Sequence, residues 1–326
     1  MRVFVTGAAS PLGRILVQSL VRRGDVVIGQ VRRASGAAAL RTIGAEPVTA
    51  DLMRFQVICD AMAGCDLVFH LAQFFDFWAR DESLYYRVNV DAARNVMAAA
   101  LANHVRRVVL CSSSITASDA DDAWGEASVW YDDGRVRTSF ERSQIAAERM
   151  ARAFHERGLD VVLVNPGLVV APNDTGWIGR MIAQCVGGRM RFLPDAPMGW
   201  TYAGDAAAAL LQAAERGAGG QRYIVTGETL PLRTYLGTVA RMAHQTPPLF
   251  MPRPLALARA FASTAIASPL QRRPALSLDE ARFVTTGFRA DGSRAVMDLG
   301  IDYTPIARYL PPLVDGYRRA LQRFAA

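Results

Sequence analysis

The sequence predicts an α/β fold, with a doubly wound parallel sheet followed by a smaller, discontinuous C-terminal lobe. Apolar strand-length runs alternate with amphipathic helix-length segments through the first half of the chain, as in a parallel sheet covered by helices on both faces. A glycine-containing turn separates the first strand from the first helix. Near Pro166 the alternation weakens and glycine and proline become frequent, which indicates a second lobe.

The predicted elements follow in chain order. The strand-like runs are "VFVTG", "VVIGQV", "EPVTA", "DLVFHLA", "RRVVLCSSS" and "DVVLVNPG". Between them, "PLGRILVQSLVRR" and "VDAARNVMAAALANH" show the apolar spacing of helices. Further on, "GDAAAALLQAAERG" and "QRYIVTG" predict one helix and one strand that return to the first lobe. We therefore expect a first lobe over 1–166, joined by 201–226, and a second lobe over 167–200 and 227–326.

The composition excludes several classes of function. All 37 basic residues are arginine, so Schiff-base and lysine-base chemistry is excluded. The formal charge is +7, but the arginines are scattered, so we expect no nucleic-acid partner. Four cysteines without metal-ligand spacing predict no metal site. With no leader and no uncharged apolar run of about 18 residues, we expect a cytoplasmic protein without stable membrane insertion. The sequence indicates no oligomeric state.

The first strand-to-helix turn, "VFVTGAASPLGRIL", predicts a phosphate site. Gly7 and Gly13 allow a tight turn and a close approach of helix to strand. Ser10 and Pro11 form a good N-cap and first helical residue, which with Leu12 would present first-turn amides to a pyrophosphate. This is the turn of a Rossmann-type dinucleotide-binding lobe.

The end of the second strand predicts the cofactor. An NAD site usually carries an acidic residue about 20 residues beyond the glycines, where it binds the ribose hydroxyls. Here "VVIGQVRR" has none, and Arg32 with Arg33 offers forked donors suited to a 2′-phosphate. We therefore expect NADPH, although a solvated arginine pair at a strand end is the simpler alternative.

The chain resembles the extended short-chain dehydrogenase/reductase family, in particular its dihydroflavonol-reductase-like and 3β-hydroxysteroid-dehydrogenase-like branch. The resemblance covers nearly the full length and is carried by "TGAASPLG", "DL" at Asp51–Leu52, "HLAQFFDFWARD", "VNVDAARNVM", "CSSS", "NPGLVVAP", "WTYAGDAAAAL" and "FRADGSRAVMDLGIDYTPI". It implies adenine contacts from Asp51 and Leu52, cofactor contacts near Leu71, Ala72 and Gln73, and Pro166 beside the nicotinamide.

The resemblance also shows a gap in the catalytic set. Family members carry Tyr-x-x-x-Lys on a helix after the "SSS" strand end, and "SFERSQIAAE" places Phe140 at the tyrosine and Gln144 at the lysine. Gln144 can bond a ribose hydroxyl but supplies no positive charge. Ser114 matches the catalytic serine of the family, or is a strand-end serine satisfying nearby backbone. Tyr131 in "YDDGR" is the nearest rival acid, although "DDG" favours a turn.

Aromatic and sulfur-containing side chains suggest a pocket for a flat or polycyclic substrate. The candidate substrate contacts are Phe74, Phe75, Phe77, Trp78, Trp177, Met181, Phe192 and Trp200. Each of these side chains could instead belong to the core, because large apolar residues are usually buried.

The leading hypothesis is an NADPH-dependent ketoreductase of an aromatic, polyketide-like carbonyl compound, with the proton supplied by Ser114, water or a phenol of the substrate. In lacking the Tyr-Lys pair, the chain is similar to the angucyclinone ketoreductases of the family, which implies antibiotic biosynthesis. The second hypothesis is a non-catalytic NADP(H)-binding regulator or scaffold. A third is peripheral membrane association through "PLALARAFASTAIASPL", for which burial in the second lobe is the expected outcome.

Overall fold

The computed structural model describes residues 1–116 and 138–325, and for 323–325 the backbone alone. Its central feature is a seven-stranded, fully parallel sheet in the order β3-β2-β1-β4-β5-β6-β10. The strands are β1 (Arg2–Thr6), β2 (Val26–Val31), β3 (Glu46–Thr49), β4 (Leu67–His70), β5 (Arg107–Cys111), β6 (Val161–Pro166) and β10 (Arg222–Val225). The predicted α/β, Rossmann-type fold class is confirmed.

Helices cover both faces of this sheet because side chains alternate along each strand. Val3 and Val5 of β1 pack into one apolar cluster, whereas Phe4 packs into another on the opposite face. The helices of this lobe are α1 (Pro11–Arg22), α2 (Ala37–Thr42), α3 (Phe55–Ala61), α4 (Ser83–Tyr86), α5 (Ala92–Ala102), α6 (Ser139–Glu156) and α8 (Ala203–Arg216). A π-helical segment, Arg87–Asp91, leads into α5.

The second lobe contains two small sheets and the remaining helices. One sheet has the order β11-β9-β7 and the other pairs β12 with β8. The strands are β7 (Leu168–Val170), β8 (Phe192–Leu193), β9 (Pro197–Tyr202), β11 (Glu228–Pro231) and β12 (Leu249–Phe250). The helices are α7 (Trp177–Val186), α9 (Leu232–Met242), α10 (Arg253–Ala267), α11 (Leu278–Thr286), α12 (Ser293–Leu299) and α13 (Ile306–Ala325).

The lobes share more chain than the sequence indicates. The segment predicted to return to the first lobe contains α8 and β10, and β10 pairs with β6. However, Ala295, Leu299 and Ile301, which we assigned to the second lobe, pack into the core of the first lobe with the buried side chains of α8. The reason is that α12 packs on α8 and β10, and Ile301 follows just after this helix.

The expected burial of helix α10 is wrong. Its inward residues Ala256 and Ala260 are buried, but Leu255, Phe261 and Ile266 are 58%, 67% and 73% exposed. The small residues let the helix lie close to the lobe, and the large apolar ones point outward. Across the described ranges, no helix combines the length and the apolarity that a bilayer crossing needs.

Candidate active site

The turn between β1 and α1 accepts only glycine at two positions. Gly7 has a φ of +64°, and an added Cβ would lie 2.9 Å from the amide nitrogen of Ala72. At Gly13 an added Cβ would lie 2.3 Å from the carbonyl oxygen of Gly7. The Ser10 hydroxyl accepts a hydrogen bond from Gly13 N at 3.0 Å, and Pro11 is the first residue of α1. Because the first turn of α1 carries no acidic residue, this positive helix end suits a phosphate.

A groove of about 670 Å³ extends from this turn along the ends of β2 and β3. Its lining includes many of the predicted cofactor residues: Gly7, Ser10, Arg32, Asp51, Leu52, Leu71, Ala72 and Gln73. Arg33 is exposed and does not belong to this lining. The size and position of the groove, with a cation on its rim, fit an adenine dinucleotide.

Among the residues of this groove that sequence reasoning missed are two with polar side chains, Gln30 and Arg87. Gln30 is buried, accepts a hydrogen bond from Gly7 N at 3.3 Å and donates one to Ala50 O at 2.6 Å. It therefore ties the glycine turn to the end of β3. Its position just before Val31 and Arg32, at the end of a predicted strand, was the available signal. Arg87 lies in the π-helical segment, which the periodicity of the sequence does not reveal.

A buried hydrogen-bond group joins the glycine turn to β4. Thr6 Oγ1 lies 2.7 Å from His70 Nδ1 and accepts hydrogen bonds from the amides of Leu71 and Ala72. Burial lowers the pKa of His70 to about 4, so the ring is neutral at pH 7. Because the Thr6 oxygen already accepts two bonds, its hydrogen points at His70 Nδ1. His70 therefore fixes the backbone of the groove.

A second cavity of about 270 Å³ borders the groove, since both include Ser10, Leu71 and Gln73 in their linings. Pro11, Leu12 and Pro166 of the predicted cofactor set also line it. The remaining walls are mainly apolar and include Phe75, Ile115, Phe140, Leu168, Trp177, Phe283 and Phe288. The cavity lies at the carboxyl ends of the parallel strands, where ligands of doubly wound sheets bind.

Helix α6 places Phe140 and Gln144 toward these two spaces. It begins with a capping box, in which Thr138 accepts from Glu141 N and the Glu141 carboxylate accepts from Thr138 N. Phe140 is buried in the cavity wall, with its ring centroid 4.7 Å from that of Phe75. One turn later, the buried Gln144 side chain donates a hydrogen bond to the Gln73 side-chain oxygen on the groove.

The described lining of the cavity offers few groups that could transfer a proton. It includes no tyrosine or histidine, and its ionisable members are Cys111 and Asp174. Burial raises the pKa of the Cys111 thiol to about 12. The Asp174 carboxylate accepts hydrogen bonds from Gly176 N and Gly179 N at 2.8 and 3.1 Å, which anchors the start of α7. Tyr131, the rival acid, lies outside the described residues.

Ser114 lies in a short 3₁₀ turn after β5. Its side chain is fully buried, and its hydroxyl has no hydrogen-bond partner within the described parts of the chain. Its neighbours Ser113 and Ile115 line the cavity, whereas Ser114 itself is not part of the lining surface. An unpartnered buried hydroxyl costs about 1–3 kcal/mol, so a ligand oxygen would stabilise it.

Glu148 links the strands behind the cavity. It is completely buried and accepts hydrogen bonds from Ser112 Oγ, from Thr116 Oγ1 at 2.7 Å and from Asn165 Nδ2 at 2.7 Å. Arg222 of β10 lies 3.5 Å from its second oxygen. One carboxylate therefore connects α6 to the ends of β5 and β6 and to β10.

Two of the predicted substrate residues line the cavity, and the others lie elsewhere. Phe75 and Trp177 line the cavity. Phe74 instead lines the cofactor groove, and Phe77 and Trp78 line a neighbouring cleft. Met181 and Phe192 line a third cleft, and Phe192 is 49% exposed.

Trp200 also lies away from the cavity, because it stacks on Tyr235 in the core of the second lobe, with ring centroids 3.6 Å apart. The expectation that these side chains form one pocket is therefore corrected. Aromatic residues close in sequence point to different sides of an irregular loop or helix. The walls that sequence reasoning missed, such as Phe283 and Phe288, come from distant segments.

Comparison with known proteins assigns the family. The family model described as "NAD dependent epimerase/dehydratase family" matches residues 3–226. The chain belongs to this family. Sterol demethylase protein B of Methylococcus capsulatus is 32% identical over 92% of this chain and 93% of its own. The crystal structure of gox2253 has a TM-score of 0.85 at 24% identity, covering 98% of both chains, and shows the shared fold.

A further relative is the 4-hydroxy-2-methyl-3-oxo-4-farnesyl-3,4-dihydroquinoline-1-oxide ketoreductase of Stigmatella aurantiaca. It is 29% identical over 72% of this chain and 71% of its own. The predicted relationship to extended short-chain dehydrogenases/reductases and the predicted oxidoreductase class are confirmed.

Proposed function

We propose that this protein is an NADPH-dependent ketoreductase of an aromatic or polycyclic ketone. The observation that carries the proposal is that the groove and an aromatic-walled cavity lie side by side and share Ser10, Leu71 and Gln73 in their walls. Arg32 on the groove supports the phosphorylated cofactor, since no acidic residue follows β2 to bind ribose hydroxyls in its place. The relative from Stigmatella aurantiaca is named for a fused-ring oxo compound, which supports the substrate class.

The residues of the chain bind and orient the reactants. When bound, the nicotinamide cofactor supplies the hydride. Phe75, Phe140 and Trp177 hold a flat ring system and exclude water from the cavity. Ser114 lies behind the lining residues Ser113 and Ile115, so the 3₁₀ turn must rearrange on ligand binding for its hydroxyl to reach the carbonyl oxygen. A hydrogen bond donated there would satisfy its otherwise unpartnered hydroxyl. Gln73 lines the groove, is held by a hydrogen bond from the buried Gln144 side chain, and bonds ribose hydroxyls in place of the lysine of the family.

The proton for the reduced oxygen comes from the substrate. Phe140 carries no proton, the Cys111 thiol is a poor acid, and Asp174 is occupied as an acceptor. A phenol hydrogen-bonded to the ketone can deliver its own proton, which leaves a resonance-stabilised phenolate. Ser114 then orients and stabilises the oxygen without supplying the proton, and a water molecule is the other available donor.

Methylation of the substrate phenol tests this mechanism. With saturating NADPH and single-turnover kinetics, reduction of the methyl ether should nearly cease while its binding persists. Ser114→Ala should lower the rate on the parent ketone by roughly 10²–10³-fold, the loss typical of one positioned oxyanion donor. Equal rates for the ether and its parent, together with an inactive Ser114→Ala variant, would assign the proton to the serine or to a water that it holds.

A non-catalytic NADP(H)-binding regulator is the second candidate, and the apolar Phe140 in the cavity wall favours it. The two functions differ in whether the protein ever oxidises NADPH. We expect the wild-type protein to oxidise NADPH in the presence of hydroxylated aromatic ketones. The Leu168→Trp variant, whose larger side chain blocks the apolar cavity, should oxidise NADPH more slowly. NADPH binding without oxidation across the panel would favour the regulator.

A further inference from the structure

Helix α10 presents an apolar face to solvent. Leu255, Phe261 and Ile266 are 58%, 67% and 73% exposed, while the buried residues of the helix are Ala256 and Ala260. Successive outward positions follow helical spacing: Leu255, Ala258, Ala262 and Ile266 are three or four residues apart. This is the reverse of a helix that packs its large apolar side chains into a core.

Exposed apolar residues also stand on both sides of α10 in the chain. Leu249 and Phe250 of β12 are 61% and 51% exposed, and Leu270 is 60% exposed. Large apolar side chains that cluster on a protein surface mark sites for a protein partner or a membrane. This segment therefore has the composition of an interaction surface.

Along the chain, the charged residues of this segment have one sign. Between Glu228 and Asp279 the sequence has no acidic residue. It has six arginines there, Arg233, Arg241, Arg253, Arg259, Arg272 and Arg273. Arg253, Arg259 and Arg272 are exposed, and within the described ranges none of the three is ion-paired with a carboxylate. Along the chain, the apolar residues of α10 thus lie among arginines, while the acidic Glu82 and Asp279 line a cleft at the C-terminal end of the helix.

We propose that α10 and its flanking residues dock on an anionic membrane surface, with Leu255, Phe261 and Ile266 entering the headgroup boundary. A helix that exposes apolar side chains beside arginines lies in such an interface, where apolar burial and attraction to anionic lipid act together. A second copy of this chain fits less well. In a two-fold contact the patch meets its own copy, so the arginines would face one another without acids between them.

One residue of α10 lines a cleft that borders the aromatic cavity. Arg259 of α10 lines a cleft of about 530 Å³ that shares Trp177 with the aromatic cavity. If the proposed function holds, a lipophilic ketone dissolved in the bilayer would reach this cleft directly. The docking itself requires neither cofactor nor substrate, so it is tested independently of the reaction.

Vesicle flotation tests the proposal with the full chain. Vesicles of phosphatidylcholine alone are compared with vesicles of equal parts phosphatidylcholine and phosphatidylglycerol. We expect binding to the anionic vesicles that weakens as salt is raised. Phe261→Ser combined with Ile266→Ser should lower the partition coefficient roughly tenfold or more, because two apolar anchors are lost. Arg259→Gln should also lower binding to anionic vesicles, but by a smaller factor than the Phe261→Ser and Ile266→Ser double variant.

The matched control is Val296→Ser combined with Met297→Ser on α12, where the side chains are 44% and 74% exposed away from the patch. This variant should bind vesicles as the wild type does, and circular dichroism should show that both double variants are folded. Absence of wild-type binding to anionic vesicles would overturn the proposal, as would unchanged binding of the α10 double variant. A dimer in sedimentation equilibrium that this variant abolishes would assign the face to a second copy instead.

Discussion

Phe140 and Gln144 lie one turn apart on α6, and neither side chain ionises. Phe140 packs on Phe75 in the cavity wall, and Gln144 bonds Gln73 beside the cofactor groove. Both side chains fit their neighbours, so they form a packed alternative to an ionised pair. This is the arrangement expected when the substrate carries the proton.

Installing the tyrosine and lysine of the family tests this interpretation. General acid catalysis is typically worth 10²–10⁴-fold, so a damaged enzyme should recover by such a factor in Phe140→Tyr combined with Gln144→Lys. We expect less than about a tenfold gain in single-turnover rate on a hydroxylated aromatic ketone, since its proton has another source. Phe140→Tyr alone is the control for packing. A hundredfold gain in the double variant would contradict the proposed mechanism.

Arg32 and Arg33 are neighbours in the sequence, but they occupy different environments in the structure. Arg32 lines the groove and Arg33 does not. Arg32→Ala should weaken NADPH binding by about 1.5–3 kcal/mol, the value of a hydrogen bond to a charged group, with little change for NADH. Arg33→Ala is the matched control and should leave both affinities unchanged. Titration calorimetry measures the affinity of each variant for NADPH and for NADH. Equal weakening of NADPH binding by the two variants would be inconsistent with this assignment.

At the scale of elements, Glu148 joins one helix to three strands through a fully buried carboxylate. Removing one member of a buried ion pair typically costs about 3–5 kcal/mol. Glu148→Gln should therefore lower the free energy of unfolding by that amount, measured by urea denaturation. Glu156→Gln, on the same helix, removes an exposed pair with Arg152 and should change stability by less than about 0.5 kcal/mol. Similar costs for the two variants would refute the structural role of Glu148.

For the whole molecule, His70 predicts a dependence of stability on pH. Burial lowers its pKa in the folded state to about 4, from an ordinary value near 6.5. The unfolded chain therefore binds the proton first, so this contribution to stability is complete above about pH 6.5 and is lost as pH falls toward 4.

The slope from this one residue is at most about 1.4 kcal/mol per pH unit. Urea denaturation across this range should show stability falling with pH, and His70→Asn should show a shallower fall. The buried carboxyl of Glu280, whose pKa is raised by burial, acts in the opposite direction, so the difference between the two proteins is the quantity to compare. An unchanged slope in the variant would mean that His70 does not titrate with unfolding.

The sequence by itself determined the parallel sheet and the glycine turn, and it predicted many of the residues that line the groove beside that turn. These features depend on local rules: alternating strand and helix patterns, a positive φ at Gly7, and a serine cap before a proline. Each leaves its signal within a few neighbouring residues. The absence of lysine was likewise readable without coordinates.

Only the tertiary structure decided which aromatic side chains meet around the cavity and which face α10 turns outward. Trp200 and Phe192 resemble Trp177 in the sequence, yet one is stacked in the core and another is half exposed. Phe283 and Phe288 reach the cavity from more than a hundred residues beyond Phe140. Such contacts depend on how lobes and helices pack, and packing joins residues whose separation along the chain carries no local signal.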